Sequence, residues 1–163
     1  MNIHEGDTVM HWTHGLGKVV RLEERALSGE VSLYYAIQIG DMTIWVPADD
    51  MLETRLRLPT HPDEFKRLIG ILSQPGEPLP EDRRERKTLL LEWLKDGRLE
   101  SLFRVIRSLV TYQQVRPLNT DEQALLKRLK SSLVSEWSYA MSITPAQVEV
   151  ELHRLLSPHV LGD

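Results

Sequence analysis

The chain has 163 residues, 41% of them hydrophobic and 27% charged, with glycine and proline at ordinary levels and no cysteine. That is the profile of a folded protein of one domain or two small ones, without a disulfide framework, zinc ribbon or thiolate nucleophile. No apolar run approaches the roughly eighteen residues of a membrane span, and the opening Met1 to Asp7 has neither the basic nor the apolar region of an export signal, so a cytoplasmic location is expected.

The net charge of −4 is unevenly spread. Residues 1–57 hold five Lys/Arg against nine Asp/Glu, and residues 58–163 hold fifteen of each, so the whole excess is N-terminal. An acidic first part suits a protein partner, while a neutral second part can still carry a local basic stripe.

From Thr8 to Val46 the pattern is short and β-rich. Thr8 to Trp12, Gly17 to Leu22, Val31 to Ile39 and Met42 to Val46 read as strands with glycine at the joints. Val31, Leu33, Tyr35, Ile37 and Ile39 alternate with Ser32, Tyr34, Ala36 and Gln38, which predicts one strongly apolar face and one mixed face. Gly40-Asp41 predicts a tight hairpin. Strands without crossover helices favour a small antiparallel barrel.

After Pro47 the period becomes helical. Asp63 to Gln74 predicts a first helix, and the loop Pro75-Gly76-Glu77-Pro78-Leu79-Pro80 must interrupt it. A second helix runs from near Glu81 to Asp96-Gly97. A third carries Leu99, Leu102, Phe103, Ile106, Leu109 and Val110 on one face and ends at Arg116-Pro117. Thr120-Asp121-Glu122-Gln123 has the form of a capping box opening a fourth, and Thr144-Pro145-Ala146-Gln147 opens a fifth. The expected fold class is α+β: a β domain over residues 1–57, then a compact all-helical domain of about five helices over 58–163.

The string Gly6-Asp7-Thr8-Val9-Met10-His11, followed by His14-Gly15-Leu16-Gly17-Lys18-Val19, resembles the opening of the CarD/CdnL/TRCF RNA polymerase-interacting domain. Gly29-Glu30, Tyr34-Tyr35 and Ile44-Trp45-Val46-Pro47-Ala48 follow in that domain's order and spacing. Leu91 to Leu109 and Leu118 to Met141 resemble the family's C-terminal domain. No Gly-x-x-x-x-Gly-Lys-Ser/Thr is present, so the stand-alone CarD/CdnL regulator is a closer match than the ATPase-bearing TRCF.

The resemblance implies a Tudor-like barrel that binds the RNA polymerase β subunit. It also implies a helical domain that touches promoter DNA at the upstream edge of the melted bubble, biasing the closed-to-open equilibrium without catalysis, cofactor or small-molecule substrate. Such a protein would be nucleoid-associated through the polymerase.

On the residues themselves, Arg25 and the segment Trp45-Val46-Pro47 have the composition of a protein-binding hot spot on an exposed sheet. The plainer alternative puts Trp45 in the barrel core and Arg25 in a solvated turn. Family members often have a basic residue where Trp45 stands. Arg83, Arg84, Arg86 and Lys87 crowd a helix start, where the dipole disfavours cations, and phosphate contact would account for them. Interleaved with Glu81, Asp82 and Glu85, they also read as a solvated, salt-bridged face.

The family commonly places a wedge tryptophan at or next to Arg83; none is present there, so electrostatic DNA contact is expected. Trp93 and Trp137 read as packing residues, and His11/His14 as a turn pair without the further ligands a metal needs. A protein-protein adaptor that keeps the β domain but lacks productive DNA contact is the competing function.

Overall fold

The computed structural model describes residues 2–27 and 29–157. The chain forms two compact units, Met1–Pro59 and Thr60–Asp163. Five antiparallel strands precede a set of helices, so the fold is α+β.

The first unit contains β1 (Thr8–His11), β2 (Gly15–Arg25), β3 (Ser32–Ile39), β4 (Met42–Pro47), one helical turn α1 (Leu52–Arg55) and β5 (Leu56–Arg57). The strand order is β4-β3-β2-β1-β5. Ile39 pairs with Met42, so Gly40-Asp41 is the two-residue hairpin the sequence predicts; Gly40 supplies the positive φ of 58° that such a turn needs. The turn α1 and strand β5 have no periodic signature in the sequence. Both are held by tertiary contact: Leu56 pairs with His11, and Leu52 and Leu56 close the core of Val9, Val19, Ile37 and Val46.

The expected alternation along β3 holds only in its middle. Ile37 is core and Tyr35 and Ile39 pack beside it, but Val31 and Leu33 are exposed, whereas Tyr34 and Ala36 on the opposite face are buried. A bulge between Val19 and Arg21 is the reason on β2's side, since one extra residue reverses which of its side chains face the core. Lys18 is opposite Gln38, yet beyond the bulge the odd-numbered Arg21 is opposite Ala36. Ala36 lies in register between two large residues, Arg21 and Trp45, and is fully buried.

The second unit contains α2 (Pro62–Leu68), a 3-10 turn (Ile69–Ser73), α3 (Arg83–Leu94), α4 (Leu99–Gln113), α5 (Thr120–Met141) and α6 (Pro145–Leu156). The first helix is therefore shorter than its apolar pattern implies. It tightens at Ile69 beside Gly70, a weak helix former, and ends before Pro75. The core is built on Phe65, Phe103 and Trp137, with ring centroids 5.9 Å and 5.6 Å from Phe65. Each such burial contributes about 1.5–3 kcal/mol.

The cap of α5 lies one residue earlier than the sequence pattern implies. Asn119 accepts from the Glu122 N–H at 2.8 Å and Glu122 accepts from the Asn119 N–H at 3.0 Å, while the Gln123 amide turns back to Leu118. The cap of α6 is the expected Thr144/Gln147 box. The proline-rich loop packs directly on α4. Gly76 donates to Thr111 Oγ1 and Glu77 to Ser108 Oγ, and a Cβ on Gly76 would stand 2.5 Å from the Ser108 Cα.

Candidate functional site

The outer face of β2, β3 and β4 is the first site. Past the bulge, Arg21, Glu23 and Arg25 project from one side of β2, because residues two apart on a strand share a face. Register places them in rows: Arg21, Ala36 and Trp45; Glu23, Tyr34 and Pro47; Arg25 and Ser32. The Glu23 carboxylate accepts from Arg21 Nε at 2.8 Å and from the Trp45 indole N–H, and stands 3.6 Å from Arg25. The Arg25 guanidinium lies 4.3 Å above the centre of the Trp45 ring. Hydrogen bonds from Arg21 and then from Trp45 hold the Glu23 carboxyl below the usual range.

Arg25 and Trp45 are thus together, and Trp45 is a half-buried surface residue rather than a core one. Pro47 sits beside Tyr34 in the same face. Val46 does not belong with them. It points inward, is 3% exposed and packs with Val19 and Ile37, as alternation along β4 requires. Arg21 and Glu23 are members the sequence reading missed. Their signal was the Arg-x-Glu-x-Arg alternation, which only the bulge places across from Trp45.

The start of α3 is the second site. Asp82 caps it, accepting from the Glu85 N–H at 3.0 Å. Arg83, Arg84 and Lys87 are exposed, but Arg86 is 6% exposed and belongs to the interior. Its Nε and one terminal nitrogen donate to Glu122, which is also 6% exposed. The other terminal nitrogen reaches the Pro80 carbonyl (3.2 Å), the Glu81 carbonyl (3.1 Å) and the Tyr112 hydroxyl (3.1 Å). A guanidinium so engaged has no edge left for a phosphate.

The exposed stripe of α3 instead runs through Arg84, Lys87, Thr88, Leu91 and Lys95, spaced at three, four, seven and eleven residues. Leu91, 52% exposed, sits between cations on both sides. The sequence groups Leu91 with Leu90 and Leu94 on the apolar side of this helix, but Leu91 faces solvent while Leu90 is buried; Lys95 was not singled out. Trp93, half-buried against the helical core, is roofed by Arg104 at 4.0 Å, and Arg104 is tied to Glu77. Trp137 is core, 3% exposed.

His11 is a turn organiser. Its Nδ1 accepts from the N–H groups of Thr13 (3.1 Å) and His14 (3.2 Å). Burial, and then the neighbouring His14, lower its pKa to about 4. Among the described residues no three His, Cys, Asp or Glu side chains are grouped to hold a metal ion, and no helix is long and apolar enough to cross a membrane.

Comparison with known proteins agrees with this division into a strand unit and a helical unit. Residues 3–57 match the CarD-like/TRCF RID domain, and residues 67–153 match the CarD C-terminal domain. The chain is 27% identical over 150 residues to a Bacillus subtilis (strain 168) protein named "Putative transcription factor YdeB", covering 88% of this chain and 95% of that one. With both domain models matched in order and the second alone spanning more than half its length, the chain belongs to the CarD/TRCF family.

Proposed function

We propose that this chain is a cytoplasmic, non-catalytic transcription regulator that binds the β subunit of RNA polymerase through the outer face of β2–β4. On this reading α3 contacts promoter DNA near the upstream edge of the bubble, without sequence specificity, and shifts open-complex stability. The observation that carries the reading is the Arg25–Trp45 stack, an arginine and an aromatic held together on a solvent-facing sheet. Those are the side chains that dominate protein-binding hot spots. The RID match and the description of YdeB as a transcription factor point the same way.

The DNA contact rests on Arg84 and Lys87, with Arg83 beside them and Leu91 and Lys95 further along the stripe. Arg86 and Val46 are left out of the proposed surfaces because both are buried. Without a tryptophan near Arg83, α3 presents to a groove mainly cations, with the exposed Leu91 among them. DNA affinity should therefore be electrostatic and fall steeply with salt.

The deciding experiment is binding of a purified β-lobe fragment by the wild type and by Arg25→Glu/Trp45→Ala. Binding by the wild type and loss in the double variant supports the reading; no binding by either sinks it. The adaptor alternative is favoured by one observation, the withdrawal of Arg86 into an internal pair, which leaves fewer cations for phosphate. An adaptor would bind the β fragment yet show no salt-dependent DNA affinity.

A further inference from the structure

We infer that Glu23 is the positioning residue of the docking face, fixing the Trp45 ring and the Arg25 guanidinium in their binding arrangement before a partner arrives. This rests on the proposal that the face docks on polymerase, although its first consequence can be read in the free protein.

Among the described residues, Glu23 is the carboxylate that hydrogen bonds and salt bridges place among Arg21, Arg25 and Trp45. It is also the least exposed of the three charged side chains: 23%, against 48% for Arg21 and 37% for Arg25. The indole has a single N–H donor. Once that donor is given to Glu23, the ring cannot turn about its side-chain bonds without losing the bond. Arg25 then lies on the fixed ring, steadied by the same carboxylate at 3.6 Å, with one face of its guanidinium on the indole.

Two further effects follow from the charge. Arg21 and Arg25 project from the same side of β2, and each is paired with the carboxylate between them. The net charge of the trio is +1 with Glu23 and +2 without it. Immobilising two such side chains during docking, rather than before it, weakens binding by roughly tenfold.

The variants separate the two effects. Glu23→Gln keeps an oxygen for the indole N–H but abolishes the charge; Glu23→Ala removes both. In the free protein, the Trp45 indole ¹⁵N–¹H resonance, assigned by its loss in Trp45→Phe, should shift in Glu23→Ala and exchange faster with water. It should remain close to wild type in Glu23→Gln. Binding to the β-lobe fragment should weaken about tenfold in Glu23→Ala and by an intermediate factor in Glu23→Gln, with an unchanged midpoint of thermal unfolding.

An unmoved indole resonance in Glu23→Ala overturns the inference, whether or not any variant binds polymerase. If the wild type fails to bind the fragment, the docking proposal falls, and the indole shift alone decides whether Glu23 positions Trp45. Unchanged or tighter binding by Glu23→Ala, in a protein whose Trp45→Ala variant binds weakly, also overturns it.

Discussion

Arg86→Met tests how the helical unit is held together. The substitution keeps most of the aliphatic stem and removes the guanidinium, and with it the hydrogen bonds to Glu122, the Pro80 and Glu81 carbonyls and the Tyr112 hydroxyl. Glu122 then stays 6% exposed, with the Asn119 N–H as its remaining hydrogen-bond donor. Burial by itself would raise the Glu122 carboxyl, yet the Arg86 and Asn119 hydrogen bonds hold it below its usual range. Removing the cation leaves a buried charge uncompensated, which costs about 3–5 kcal/mol.

A unit of about a hundred residues loses roughly 4–8 °C of Tm per kcal/mol, so a fall of about 12–40 °C is expected. Far-UV circular dichroism at pH 7 reads it, since the helices dominate the signal. The companion variant Arg86→Met/Glu122→Leu removes both charges and should recover most of the loss, because an apolar pair can replace an ionic one at little cost. The reasoning is refuted if Arg86→Met melts within about 5 °C of wild type, or if the double variant is less stable than the single one. DNA binding supplies a second check: a buried Arg86 predicts a salt slope unchanged from wild type at temperatures where the variant is folded.

Arg84→Gln/Lys87→Gln should leave Tm nearly unchanged but lower the slope of log K against log salt by about 2, one for each phosphate no longer neutralised; an unchanged slope would remove α3 from the DNA interface. Gly76→Ala should destabilise the helical unit by about 1–3 kcal/mol in urea unfolding, because the new methyl meets α4 backbone that cannot move aside. His11, neutral in the fold with a pKa of about 4 against 6.5 in an unfolded chain, contributes stability that is present above pH 6.5 and lost as pH falls toward 4. The loss is at most roughly 3 kcal/mol, and His11→Asn should flatten the pH dependence of urea unfolding across that window.

Local chemistry carried much of the fold into the sequence. The Gly40-Asp41 hairpin and the Thr144 capping box are each decided within four residues, so reading the residues is enough. The α5 cap shows the limit of that approach. Thr120 and Gln123 satisfy the pattern, but so do Asn119 and Glu122 one residue earlier, and asparagine is the stronger cap. What a four-residue window does not show is that the same Glu122 carboxylate pairs with Arg86, 36 positions away.

The two candidate sites failed in opposite directions for the same reason. On α3 a run of cations looked uniform, because Leu90 and Leu94 step back to Arg86 while Leu91 steps back to Lys87 and Arg84, so the helical period offers two apolar stripes. The pairing of Arg86 with Glu122, 36 residues further on, marks the first of them as inward-facing. On β2 no period could have worked, because a bulge reverses the strand's faces after Val19 and turns Arg21, Glu23 and Arg25 toward Trp45. An acidic strand unit therefore shows a locally cationic, aromatic face. What makes that face is one inserted residue in the ladder and one carboxylate that orders its neighbours, neither of which net charge or composition records.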